Sequence, residues 1–535
     1  MWVRWLISSS VRPPEWELRG TVMVERLHDT IHGFYRRLDE MGRKKEAAIV
    51  WSFFTALVFG VILVMGTWRS GFHLVDDWEF AKYVDWMTLE GRSLWDCLKE
   101  AVGDDLTRRF RPLYYVNRVL MAAVFGIDLT AMSVVKASEI VLALVLLYYC
   151  ARQMKCNMIY AALFALTVLT GYQSAVWWKL GPQESYDTMM FALGFYLLLK
   201  WLRTGRRWYS FASVGAFFLM SIYKEPFILM LPFVGLYVLY EEMKGRKLTL
   251  LHLWEAVRRR LPYLLSIGLL FTVEMLLIMF VIGTNNYSYV GLDKSVTAEE
   301  YIQAWSLAAH TDMKWYVRFG ILFGMIFLTY WEHLKKAGWE ILLTLSIVVP
   351  QCVTYSKTSM TERYLLPCVL GFAFFFVIFG CNFRPLGGKR RIAYVLCLFL
   401  MLAAHGRVVL REAAYFTYRG ESIREMMERT LDLVEGTDKK VLSCFAPNLE
   451  GNRTMYYWFR LHGYDEIFYW IEDENKIDRS FGPRENEKAA LEEIDIVVMY
   501  NRDDRHWCYD PSLDLSGFTE VKCGTITMFV RDDLS

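Results

Sequence analysis

Long apolar runs separated by short charged turns fill most of residues 47–405. A helix needs about 20 mostly apolar residues to cross the hydrocarbon core of a bilayer. On that measure the pattern predicts eleven spans, at 47–67, 132–151, 157–177, 186–202, 207–222, 226–241, 262–283, 315–331, 338–353, 364–381 and 391–405. A further apolar stretch, Leu113 to Ile127, is interrupted by Asn117 and Arg118 and reads as a helix packed against the membrane or dipping into it. Upstream, Val24, Leu27, Ile31, Phe34, Leu38 and Met41 recur at helical spacing around Arg36 and Arg37. That fits an amphipathic helix on the inner membrane surface, or equally one packed on neighbouring loops. Residues 1–22 show no signal-peptide pattern, and Met23 is an alternative start.

Beyond residue 406 the apolar runs shorten and charge becomes dense. Strands are predicted at 441–445, 466–471, 494–500 and 526–530, with helical stretches near 452–461 and 485–492. The expected fold is therefore an α-helical polytopic membrane protein with a small C-terminal α/β domain. Its parts are a cytoplasmic segment (1–46), a transmembrane domain (47–405, with a long first outer loop at 68–131) and an extracytoplasmic domain (406–535).

Charge supports this layout. With the amino terminus inside, the inner connections carry clusters such as Arg43, Lys44 and Lys45, then Arg203, Arg206 and Arg207, then Lys244, Arg246 and Lys247. The short outer connections carry mostly single bases, Lys179, Lys224, Lys294 and Lys357, as the positive-inside bias requires. Counting 113–127 as a full span would invert every later loop. Over the 535 residues, 60 Lys and Arg nearly cancel 58 Asp and Glu, which excludes nucleic-acid binding by bulk charge and, with 55% hydrophobic residues, a disordered chain. The ten cysteines show no metal-site spacing. Cys444, Cys508 and Cys523 fall in the outer domain, where one disulfide could form.

Ionisable residues at membrane depth point to function by default, and here they share the outer side. They are His73-Leu74-Val75-Asp76-Asp77-Trp78-Glu79, Arg108-Arg109-Phe110-Arg111-Pro112, Trp177-Trp178-Lys179-Leu180-Gly181-Pro182-Gln183-Glu184, Tyr223-Lys224-Glu225-Pro226 and Glu362-Arg363-Tyr364-Leu365-Leu366-Pro367. Each has a plainer explanation. An Asp pair can cap a helix, Pro and Glu open helices, Lys and Arg anchor at the interface, and Trp belongs to an aromatic belt. Their joint occurrence on one side instead suggests a composite site. In such a site a carboxylate acts as general base, its neighbour positions it or holds a divalent cation, bases grip a phosphate, and Trp78 and Trp177 stack on a sugar.

These segments resemble the GT-C superfamily of integral-membrane glycosyltransferases. Asp76-Asp77-Trp78-Glu79-Phe80-Ala81 is similar to the Asp-Glu-x-x-Tyr-Ala pattern of the bacterial protein O-mannosyltransferase and aminoarabinose-transferase-like branch. Arg109 or Arg111 resembles the basic residue before the next helix, Lys224-Glu225 a Lys-Glu step, and Arg363-Tyr364-Leu365-Leu366-Pro367 a late step with a phosphate-contacting arginine. On the first of these matches Asp76 takes the place of the family's catalytic aspartate and is the implied general base, while Asp77 stands where the pattern has Glu, a departure that leaves the assignment between the two open. The resemblance implies transfer of a sugar from a polyprenyl-phosphate donor to a glycan, lipid or protein acceptor at the outer face, in contact with membrane lipids and without nucleic acid. It implies catalytic Asp76 and Asp77, and substrate binding by Arg109, Arg111, Lys179, Glu184, Lys224, Glu225, Arg363 and Tyr364. A lipid-linked sugar flippase and a polysaccharide polymerase or ligase are the alternatives.

Overall fold

The computed structural model describes residues 42–282, 297–328, 337–355, 362–380, 388–445, 449–471, 474–479, 487–501 and 513–533. The amphipathic stretch 24–41 and Cys508 lie outside them. The first helix, α1 (Arg43–Met65), buries Val50, Phe54, Val58 and Ile62, one residue per turn along a single stripe. Its other sides stay apolar and exposed, as Leu63 (59%) and Val64 (84%) show. A helix apolar all round with one packed stripe suits a bilayer, where the remaining faces meet lipid.

The loop expected at 68–131 is helical, with α2 (Trp78–Thr88), α3 (Leu94–Leu106) and α4 (Pro112–Phe125). The bundle continues through α5 (Leu129–Gln153), α6 (Met158–Leu169), α7 (Glu184–Thr204), α8 (Arg207–Ser221), α9 (Leu231–Met243) and α10 (Leu250–Leu276). After it come α11 (Ala298–His310), α12 (Lys314–Leu328), α13 (Gly338–Tyr355), α14 (Leu366–Ala373) and α15 (Gly388–Val434). Among the described residues seven helices are long and apolar enough to cross a membrane, or eight if α6 and the turn Tyr172–Trp178, bent by 71°, form one span. Eleven were expected. The difference arises mainly at α7, whose ends carry Glu184, Asp187, Lys200 and Arg203, and at α8 and the described α12, of 15 residues each.

The last expected span, 391–405, does not stop at the proposed domain boundary. It belongs to the 47-residue α15, roughly 70 Å long at the usual helical rise. This helix continues past the apolar segment and packs on a seven-stranded sheet of order β4-β3-β2-β1-β5-β7-β6. The strands are β1 (Val441–Cys444), β2 (Ile467–Ile471), β3 (Lys476–Asp478), β4 (Lys488–Ala489), β5 (Ile496–Tyr500), β6 (Phe518–Cys523) and β7 (Ile526–Arg531). Strand β1 runs parallel to β2 and β5, and the remaining pairs are antiparallel. The helix α16 (Leu449–Leu461) connects β1 to β2. Of the helix predicted at 485–492, the described residues instead form the short β4 followed by a single 3-10 turn at Leu491–Glu493. Cys444 and Cys523 are buried free thiols.

Strand alternation divides the core. Val441, Ile467, Ile496 and Val498 face Ile423, Met426 and Met427 of α15 and Met455 and Phe459 of α16. Leu442, Phe468, Val497 and Met499 form the opposite layer. Phe72, Leu74 and Ala81 of the first loop join the helical layer. Close approach permits this. A Cβ on Gly420 of α15 would lie 2.5 Å from the carbonyl oxygen of Ser70.

Candidate active site

The turn 73–77 is an unusual piece of backbone. Leu74 and Asp76 have φ of +57° and +55°, a left-handed conformation that costs a residue with a side chain of order 1–3 kcal/mol. Three contacts hold it. The Asp77 carboxylate accepts hydrogen bonds from the backbone N–H groups of His73 (2.5 Å) and Val75 (3.2 Å). The N–H of Asp76 donates to Glu450 Oε2 at 2.9 Å. Gly181 lies against the turn so closely that a Cβ there would meet the Val75 carbonyl oxygen at 1.7 Å. Asp77 stands at the N-cap of α2, yet its side chain makes no capping bond to that helix and reaches backwards.

The two neighbouring carboxyls consequently differ. Asp77 is fully buried. Burial pushes it up to about 6, against the pull of the His73 and Val75 N–H groups and of Arg118, with Asp76 adding to the rise. Asp76 is 32% exposed. Burial raises it too, but Arg363, Arg118, Lys224 and Arg111 together outweigh that and hold it down at about 2. Environment alone thus gives adjacent Asp residues different proton affinities.

The five polar segments converge. Arg363 pairs with Asp76 Oδ2 at 3.0 Å and donates to the Tyr364 hydroxyl at 3.2 Å, while the Tyr364 ring stacks on Tyr355. Lys179 meets Glu362 at 2.8 Å. Lys224 contacts Glu184, and both are buried. Arg109 grips Glu225 with two hydrogen bonds, of 3.0 and 2.7 Å, and the Phe110 N–H reaches the same carboxylate. Arg111 is held by Asp105 (2.6 Å) and Tyr115 (3.3 Å). Of the expected cations, Arg363 touches Asp76. Lys224 and Arg111 act on it through space, and Arg109 and Lys179 brace the surrounding loops.

Three participants escaped the sequence reading. Arg118 is fully buried, with Glu79 at 3.3 Å, the Tyr114 hydroxyl at 2.8 Å, the Gly181 carbonyl in contact and the Phe80 ring 4.4 Å away. It was visible as the charge interrupting the apolar run 113–127. Lys136, inside a predicted span, donates to the carbonyls of Lys179 and Pro182 and so shapes the Gly181 turn. Glu450 gave no signal, being 374 residues from its partner. The tryptophans are otherwise engaged. Trp177 is 3% exposed and donates to the Leu169 carbonyl at 3.1 Å. Trp78 lies between Tyr457, stacked at 6.0 Å, and the Arg453 guanidinium at 4.6 Å.

A cation at Asp76 and Asp77 does not suit this donor set. Both Asp77 oxygens accept backbone N–H groups, and Asp76 faces Arg363. Among the described residues no three His, Cys, Asp or Glu side chains group as a metal ion requires.

No family model and no curated protein matches the chain. Solved structures to which it is similar include ArnT from Cupriavidus metallidurans, at a TM-score of 0.46 and 12% identity over 90% of this chain and 99% of that one. The mycobacterial arabinofuranosyltransferase AftD gives 0.44 and 12%, over 92% of this chain and 40% of that one. The Archaeoglobus fulgidus oligosaccharyltransferase with a tethered acceptor peptide gives 0.37 and 10%, over 65% and 55%.

Proposed function

We propose that the chain is a membrane glycosyltransferase that moves a sugar from a polyprenyl-phosphate donor to a hydroxyl of a cell-envelope acceptor at the outer face, with Asp76 as general base. The observation that carries this reading is the 3.0 Å contact between Asp76 and Arg363, which come from the first and last of the five polar segments. A base and a phosphate-binding cation in contact, half-buried beside apolar helices, suit a reaction whose acceptor is polar and whose leaving group is an anionic lipid.

In the proposed step the acceptor oxygen attacks the anomeric carbon and gives its proton to Asp76. The bond from that carbon to the phosphate oxygen breaks, and the electron pair leaves with the lipid phosphate. Arg363, Lys224 and Arg111 stabilise the departing charge. Beside Arg363, Asp76 is held near 2, too acidic for efficient proton removal, since a general base works best near the ambient pH. A donor phosphate competes for Arg363, and drawing that guanidinium away raises Asp76. Donor binding thereby arms the base. Asp77 shapes the turn that carries Asp76.

The test is mass spectrometry of cell-surface glycans and lipid-linked sugars from cells making the wild-type or the Asp76→Asn chain. The reading expects a glycan that disappears with Asp76→Asn and a donor lipid that accumulates. An unchanged glycan profile with the variant inserted at normal level overturns it. Binding of undecaprenyl phosphate to the purified full chain, followed by native mass spectrometry, checks the donor class separately.

A further inference from the structure

The core of the C-terminal domain is not closed on itself. Phe72 and Leu74, four and two residues before Asp76, are 3% and 1% exposed and complete the layer formed by α15 and α16. Two more contacts tie α2 to α16, the stack of Trp78 on Tyr457 and the ion pair of Asp85 with Arg460 at 3.3 Å. The second residue of α16 is Glu450, whose Oε2 receives the Asp76 N–H. Its place is set firmly. A Cβ on the adjacent Gly451 would lie 2.6 Å from the Phe445 Cβ. Asn452 Oδ1 accepts from the Ser443 hydroxyl at 2.8 Å and from the Phe445 N–H at 3.3 Å, locking the start of α16 to the end of β1. Glu450 therefore comes to the turn on a rigid element, which places a side chain more accurately than a loop does.

We infer that Glu450 is a positioning residue for Asp76: by accepting the Asp76 N–H it holds the left-handed turn that aims the Asp76 carboxylate at Arg363, and so makes the C-terminal domain part of the active site. This rests on the reading of Asp76 as the base. Among the described residues, the charged groups that act on Glu450 include Asp76 and Asp77 in the turn and Arg363 opposite. Burial first, then the Asp76 charge, push the Glu450 carboxyl up, with Asp77 adding to the rise. The Asp76 N–H and Arg363 pull it down, and the balance lies at about 8. At neutral pH Glu450 thus keeps its proton. Its carboxyl oxygen still accepts the Asp76 N–H, and Glu450 adds no negative charge of its own beside the base. Above about 8 it ionises and repels Asp76 and Asp77.

The test uses the full chain in membranes and follows, from about pH 6 to about pH 9, the glycan product that depends on it. Glu450→Ala removes the acceptor and is expected to slow transfer at least about tenfold with undecaprenyl phosphate binding little changed, since misplacing a reacting group by about 1 Å costs on that order or more. Glu450→Gln keeps an acceptor oxygen in the same place. It is expected to lose about threefold at most and to abolish the change in rate expected of the wild type above about pH 8. Wild-type rates in both variants at every pH, or equal losses in both with the wild-type pH profile retained, overturn the inference. If Glu450→Ala fails to insert, the pH profile of Glu450→Gln decides alone. Asp76→Asn, run beside them, separates the two ideas. An active Asp76→Asn sinks the glycosyltransferase assignment of the base, whereas an inactive Asp76→Asn with Glu450 variants like wild type sinks only the role of Glu450.

Discussion

The segment Glu362–Phe379 and the helix Leu250–Ile282 are both apolar enough to span a bilayer, yet 72% of the first is buried within the protein and only 11% of the second. The buried one begins with Glu362 and Arg363, partners of Lys179 and Asp76. The exposed one presents Leu265 (61%), Leu269 (65%) and Phe280 (75%) outward, and turns Glu274, its one carboxylate past Pro262, inward to the Ser221 hydroxyl at 2.7 Å. Charge sits where protein surrounds it and apolar surface sits where lipid would, as a hydrocarbon solvent demands. An enzyme handling a phospholipid-like donor needs both environments, an ion-lined pocket for the phosphate beside an apolar flank for the tail.

Substitutions on the packed side should have the largest effects. Asp76→Asn removes the proposed base and is expected to lower transfer about a thousandfold, the middle to upper range for general-base catalysis. Initial rates of product formation in membranes check this. Arg363→Ala should cost about a hundredfold, typical for losing one preorganised charge contact. It should also weaken undecaprenyl phosphate binding, whereas Asp76→Asn should leave that binding intact or strengthen it. If Arg363→Ala bound the lipid phosphate as well as the wild type, Arg363 would have no phosphate role, and the contrast between the two flanks would lose its chemical meaning.

How much of this was legible beforehand follows from the kind of signal each residue carries. Asp76, Arg363, Lys179 and Lys224 stood out because charge next to long apolar runs is rare. The bilayer does the sorting, and sequence shows it directly. Arg118 was equally visible at Asn117-Arg118, but was taken only as the reason to deny residues 113–127 a span. Its burial against Glu79 and Tyr114 depends on how α4 folds back onto α2. Only their places in the resembled pattern set Asp76 apart from Asp77 in the sequence. Their difference arises from backbone φ and from which N–H groups each carboxylate meets, and those are tertiary facts. The C-terminal domain is legible in its strands β1, β2, β5 and β7, which alternate or run apolar. Strand β6 has exposed Thr519, Glu520 and Lys522, and an edge strand of this kind offers no periodic signal. The length of α15 was hidden because the change from apolar to charged at 406 marks where solvent begins, and the helix continues past it.

A smaller effect is expected at Asp77, with a sign opposite to that of its neighbour. Its folded value, about 6, lies above its ordinary 3.8. The folded protein therefore binds a proton more readily than the unfolded chain between those values, and the contribution of Asp77 to stability falls as pH rises from about 4 to about 6. Asp76 lies below its ordinary value, so its contribution is present above about 4 and is lost as pH falls towards 2. Thermal unfolding of the wild type and of Asp77→Asn in the same detergent should show the wild type losing ground relative to the variant between about pH 4 and pH 6, and no further change above. The variant should also transfer about tenfold more slowly, because one amide oxygen replaces two carboxylate oxygens in holding the turn.

The smallest effect belongs to the exposed flank, and it bears most directly on the contrast between the two helices. Leu265 and Leu269 point away from every described neighbour that could form a pocket, being 61% and 65% exposed. Truncation there leaves no cavity in the protein, so Leu265→Ala and Leu269→Ala should each shift stability by no more than about 0.5 kcal/mol and the rate at saturating donor by less than about twofold. Any change should fall on the donor concentration needed for half-maximal rate, because a polyprenyl tail resting on this face would lose contact area while the reacting atoms would not move. A loss of rate at saturating donor comparable to that of Arg363→Ala would mean that this face is covered by protein in the working enzyme, and the tail would then need another path to the phosphate site.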